Sequence, residues 1–67
     1  MSFTLKYTNI SETREIPHED YTIKDLIMEL GLSTQTVVSK QNDELVIEDT
    51  VINDGDEIKL IQIIYGG

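Results

Sequence analysis

A chain of 67 residues without cysteine has room for one layer of sheet and one helix, with neither disulfide nor thiolate metal site to staple it. Its core has to come from twenty Ile, Leu and Val residues; ten are isoleucine and alanine is absent, which favours strands over a helical bundle. The formal charge of -8, with Lys6, Arg14, Lys24, Lys40 and Lys59 scattered singly, lacks the clustered cations that phosphate recognition needs, so no nucleic-acid partner is expected.

The first segment alternates: Phe3, Leu5 and Tyr7 fall on one face, Thr4, Lys6 and Thr8 on the other, which predicts a half-buried strand. A turn is expected over Asn9–Glu12, with Thr13 to Ile16 returning antiparallel until Pro17, which cannot donate to a ladder. A helix is predicted over Ile23–Leu30. Thr22 is its N-cap, Asp25 the acidic partner of a capping box, and Tyr21 and Leu26 are spaced as a hydrophobic staple. Ile23, Leu26, Ile27 and Leu30 make one apolar stripe, and Gly31 stands where a left-handed C-cap residue is wanted, with Leu32 folding back toward Ile27. Thr36–Ser39 reads as a strand, Gln41–Asp43 as a turn and Leu45–Ile47 as a short strand. Thr50–Ile52 is an apolar patch in a loop, Asn53–Asp56 a turn, and Glu57–Ile64 the most hydrophobic strand. The plan is α+β: a mixed sheet of four to five strands with one helix packed on one face, a single domain over residues 1–67.

The last strand is apolar enough for the middle of a sheet. Period-two alternation turns Ile58 and Leu60 toward the helix and Lys59, Ile61 and Ile63 away from it. A single helix covers one face only, so Ile61 and Ile63, with Val38 as their cross-strand neighbour, are the candidate partner-binding surface. Residues 65–67 are expected to form a flexible functional tail. Glycine beside a terminal carboxyl has no Cβ, so a narrow enzyme channel can grip its backbone and the carbonyl carbon stays open to a nucleophile. A carboxylate is a poor electrophile until it gains a leaving group; an acyl-adenylate made with ATP supplies one, which sulfur or an amine then attacks. By itself a Gly66-Gly67 ending is a weak signal.

No other cluster competes with the tail. His18, the only histidine, follows Pro17 in a loop and reads as solvated. Asp54, Asp56 and Glu57 lack the regular ligand spacing of an EF-hand loop, so no metal site is expected, and the serines and threonines have no histidine-based relay; catalytic residues are expected to be none. The opening Met1–Leu5 is not a signal peptide and no stretch reaches membrane-spanning length, so the expectation is a cytoplasmic protein without membrane contact.

Asp54-Gly55-Asp56-Glu57-Ile58, an apolar strand and then Gly66-Gly67 together resemble the end of the ubiquitin-like β-grasp sulfur-carrier family, which includes the thiamine-type (ThiS) and molybdopterin-type (MoaD) carriers. The resemblance extends over most of the chain, and the order of elements above is the β-grasp order. It implies that an E1-like adenylyltransferase, using ATP and Mg, activates Gly67. A persulfide donor then replaces AMP, and the resulting thiocarboxylate gives its sulfur to a biosynthetic enzyme such as thiazole synthase. Gly67 is the adenylation site, and Gly66 and Tyr65 the tail recognised by the enzyme. The carrier is a cosubstrate with no cofactor of its own, not a catalyst. Asp43 stands where the family commonly has the glycine of an Asn-Gly turn, and Tyr65 where the thiamine carriers usually have a small residue. The last strand lacks the proline often seen in the molybdopterin carriers, which favours the thiamine type. A molybdopterin-type carrier, a ubiquitin-like modifier joined through Gly67 to a lysine, and a non-covalent β-grasp interaction domain remain open.

Overall fold

A computed structural model describes residues 1–63 of the chain. The elements are β1 (Ser2–Tyr7), β2 (Ile10–Glu15), α1 (Ile23–Glu29), β3 (Val37–Gln41), β4 (Glu44–Val46) and β5 (Glu57–Gln62). All five strands join one sheet in the order β2-β1-β5-β3-β4. β1 and β5 run parallel at its centre, while the remaining pairs are antiparallel. This is the expected α+β plan, a ubiquitin-like β-grasp, with five strands present.

The helix forms where its caps dictate. The Thr22 hydroxyl accepts from the Asp25 N–H at 3.2 Å and the Asp25 carboxylate from the Thr22 N–H at 3.1 Å, closing the capping box. Two further amides, of Ile23 and Lys24, donate to the carbonyls of Thr50 (3.0 Å) and Glu48 (2.9 Å), so the loop before β5 is tied to the start of the helix. At the other end Gly31, at φ 76°, donates to Met28 and Leu32 donates to Ile27, a Schellman ending with Leu30 as the cap.

Alternation along β1 and β5 sends Phe3, Leu5, Ile58 and Leu60 under the helix, where they pack with Ile23, Leu26, Ile27, Tyr21, Val37 and Ile52. Fully burying an aliphatic side chain of this size contributes about 1.5–3 kcal/mol. Tyr21 packs its ring 6.3 Å from that of Phe3 and donates its hydroxyl to the Glu29 carboxylate. Burial, reinforced by that hydrogen bond and the charge of Glu29, pushes the Tyr21 phenol well above its ordinary range.

Several boundaries differ from the sequence expectation. The β1–β2 turn is only Thr8-Asn9, so β2 begins at Ile10 rather than Thr13. A two-residue connection demands a positive φ, and here the β-branched Thr8 supplies it at 56°. β3 starts one residue late and continues through Gln41, because that residue pairs with Ile58. β4 covers Glu44–Val46, one residue earlier than expected. Asn42 (φ 52°) and Asp43 (φ 71°) both adopt left-handed backbone, so the β3–β4 hairpin takes the I′ type of turn with Asp43 doing the work of a glycine.

Candidate functional site

The site is built on β5, and its placement begins at the end of that strand remote from the tail. Asp54-Gly55-Asp56 acts as a register lock. Gly55, at φ 84°, donates its N–H to the Ser2 carbonyl at 2.8 Å, while the Asp54 side chain accepts from the Ser2 N–H at 2.9 Å. The Asp56 carboxylate accepts from the Asn53 N–H (2.8 Å), Gln41 Nε2 (2.6 Å) and Asn42 Nδ2 (3.0 Å). Asn42 in turn accepts from the Glu57 N–H through its Oδ1. The lock therefore fastens β5 to β1 on one side and to the β3–β4 hairpin on the other. Burial opposes ionisation of Asp56, but those three donors outweigh it and hold its carboxyl below the ordinary range.

Register is what separates the two faces, because a slip of one residue would reverse every side chain of the strand. In the locked register Ile58 and Leu60 are 0% and 2% exposed, whereas Ile61 is 38% and Ile63 36% exposed on the uncovered side. Val38 lies opposite Ile61, half-buried, so the three candidate partner-binding residues share one face. At the C-terminal end the strand stays clamped: the Ile63 N–H donates to the Thr36 carbonyl at 2.7 Å, and Gln62 bonds both Thr36 Oγ1 (3.2 Å) and the Tyr7 hydroxyl (3.3 Å). Tyr65, Gly66 and Gly67 lie outside the described residues.

The lysines are a feature that linear reading missed. Lys6 pairs with Lys59 across the parallel β1–β5 ladder, and Lys59 pairs with Lys40 across β5–β3. Three of the five cations of a chain that looks sparsely basic thus form one row on the same face as Ile61. The row also meets Leu45, opposite Lys40 and 69% exposed. The signal was available in the sequence, since Lys6, Lys40 and Lys59 share strand parity with Thr4, Val38 and Ile61, but only the pairing register aligns them. His18, by contrast, is exposed and rests edge-on against Tyr21 at 5.5 Å.

A five-stranded mixed sheet with one helix on one face defines a ubiquitin-like β-grasp domain. The model of the ThiS family matches residues 4–67, and the chain belongs to that family of β-grasp sulfur carriers. Its fold is similar to the crystal structure of SAMP1 from Haloferax volcanii, at a TM-score of 0.72 and 16% identity with all of both chains covered. It is also similar to the thiamine biosynthesis protein ThiS from Geobacter metallireducens, at 0.64 and 17% identity over 96% of this chain and 99% of that one. Among the described residues no helix is long and apolar enough to cross a membrane.

Proposed function

We infer that this chain is a cytoplasmic sulfur carrier whose Gly67 carboxylate is activated by an E1-like, ATP- and Mg-dependent enzyme. The observation that carries the reading is the position of β5 in a member of the ThiS family. β5 is the central strand of the sheet, hydrogen-bonded at both ends, and one of its faces is left uncovered by the helix. The carboxylate attacks the α-phosphorus of ATP and pyrophosphate leaves. A persulfide then attacks the carbonyl carbon of the acyl-adenylate and expels AMP. Cleavage of the acyl persulfide by a thiol leaves the thiocarboxylate and a disulfide. Four residues beyond Ile63 can reach at most about 14 Å, so an enzyme that holds Gly67 works close to the end of β5, and Ile61, Ile63 and Val38 are the surface we assign to its contact. Gly66 and Tyr65 are the residues its channel would grip. No side chain of this chain need do chemistry; the carrier is a cosubstrate of the activating enzyme and of a sulfur acceptor. Thiazole synthesis, the thiamine route, is the favoured destination.

Intact-mass measurement of the protein isolated from its native cells tests this. The expected result is a fraction with one terminal oxygen replaced by sulfur, which increases with the host's E1-like enzyme, ATP and a persulfide donor. A free carboxylate alone under those conditions would count decisively against a carrier. Higher-mass, isopeptide-linked species lost on removal of Gly67 would identify a protein modifier instead.

A further inference from the structure

Like charges placed directly opposite on neighbouring strands destabilise a sheet, yet Lys6, Lys59 and Lys40 occupy successive strands in register. Of the thirteen Asp and Glu residues in the chain, only Glu15 and Glu57 occupy strand positions on this face. Glu57 lies 3.3 Å from Lys6, and Glu15 sits at the outer corner, 3.7 Å from the terminal amine of Met1. Among the described residues no carboxylate comes within ion-pair distance of Lys40 or Lys59. A depression of about 340 Å³ opens beside the row, lined by Lys6, Lys59, Thr8 and Ile61 among others. Thr8, on its rim, is held at a positive φ.

We propose that this face docks an acidic protein surface, a helix carrying carboxylates about one turn apart, with the lysine row as its electrostatic contact. Adjacent strands lie about 4.8 Å apart, so the three lysines repeat at nearly the spacing of side chains three or four residues apart on a helix, about 5–6 Å. Such a helix, laid across the strands, sets its carboxylates over Lys6, Lys59 and Lys40 and its apolar flank over Ile61, Val38 and Leu45. One carboxylate enters the depression between Lys6 and Lys59 and displaces Glu57 from Lys6. That the partner is the activating enzyme rests on the carrier reading; the surface and its acidic ligand do not. The chain carries a net charge of -8, so an acidic partner is repelled overall and the lysine row orients the encounter.

The test uses two probes. The first is a synthetic helical peptide with Glu at every third or fourth position flanked by Leu, titrated into the isotopically labelled protein. It should shift the amide resonances of Lys6, Lys40, Lys59, Val38 and Ile61, and the same peptide with Gln in place of Glu should bind about tenfold more weakly. The second is the host's E1-like enzyme. Replacing Lys6, Lys40 and Lys59 together by Gln should lower its association rate about tenfold at low salt, with the difference gone near about 0.5 M NaCl. The triple variant should melt within a few degrees of the parent, since the like-charge pairs it removes offset the lost Lys6–Glu57 ion pair and the added net negative charge. Equal binding of the Glu and Gln peptides, or unchanged association of the variant with both probes, overturns the proposal; the lysines would then only keep the apolar face soluble. An RNA oligonucleotide that shifts the same resonances at lower concentration than the peptide overturns it as well. If native protein carries only a free carboxylate while the acidic peptide binds the row, the carrier reading falls and the docking surface stands.

Discussion

The two faces of β5 make opposite use of the same kind of residue. Ile58 and Leu60 are sealed under the helix, while Ile61 and Ile63, one step out of phase, stay more than a third exposed. Hydrophobicity alone does not separate them; parity does. The covered face stabilises a domain that has little else to rely on, and the uncovered face keeps apolar area and three aligned lysines available for a partner. The sharpest way to break this contrast is to damage the covered face. Ile58→Ala should cost about 2–5 kcal/mol by loss of burial and creation of a cavity. For a domain of this size that is a large part of the total stability. Urea unfolding monitored by circular dichroism would measure it, and a loss below about 1 kcal/mol would show that the core repacks freely around β5.

A smaller effect is expected where the faces are assigned rather than filled. Asp56 holds the register through three donors, and Asp56→Ala should cost about 1–3 kcal/mol by removing the charged acceptor they share. The ionised form is the one those donors favour, so the folded-state pKa lies below the ordinary value of 3.8. The contribution of Asp56 is therefore fully present above about pH 4 and is lost as pH falls through the folded value. Stability measured from neutral pH into acid should decline in the parent, and Asp56→Asn should decline less steeply over that range. Identical acid slopes would remove Asp56 from the account of the register lock.

Much of this architecture was legible because local chemistry agreed with the tertiary demand. Thr22, Asp25 and Gly31 each carry a capping role that neighbouring residues satisfy, and the helix ended within one residue of its expected limit. The alternation of β1 and β5 gave the correct faces for Phe3, Leu5, Ile58 and Ile61. β2 was misplaced because it is an edge strand with polar Ser11, Glu12 and Thr13 and no buried residue, so nothing periodic marked its start. The two-residue turn at Thr8-Asn9 was likewise hidden, since a threonine at positive φ is not a recognised turn signal. Cross-strand register was legible only where Val38 was expected beside Ile61. Lys6, Lys40 and Lys59 are far apart in the chain, and only the β1–β5 and β3–β5 ladders bring them into line.

The smallest effect on the fold should come from the uncovered face, and there the two functions of β5 can be separated. Ile61→Asp together with Ile63→Asp places charge on positions that already meet water, so the loss of stability should stay near or below about 1 kcal/mol. Aspartate at position 61 stands two residues from Lys59 on the same face and gains a favourable neighbour, which offsets part of the lost β propensity. Association with the activating enzyme should nevertheless fall, because a carboxylate replaces the apolar contact and repels an acidic partner. Calorimetric melting and binding measured on the same preparation would show the two effects apart. If the double variant unfolds cooperatively at much lower temperature, Ile61 and Ile63 contribute to the core, and the division of β5 into a structural and a docking face fails.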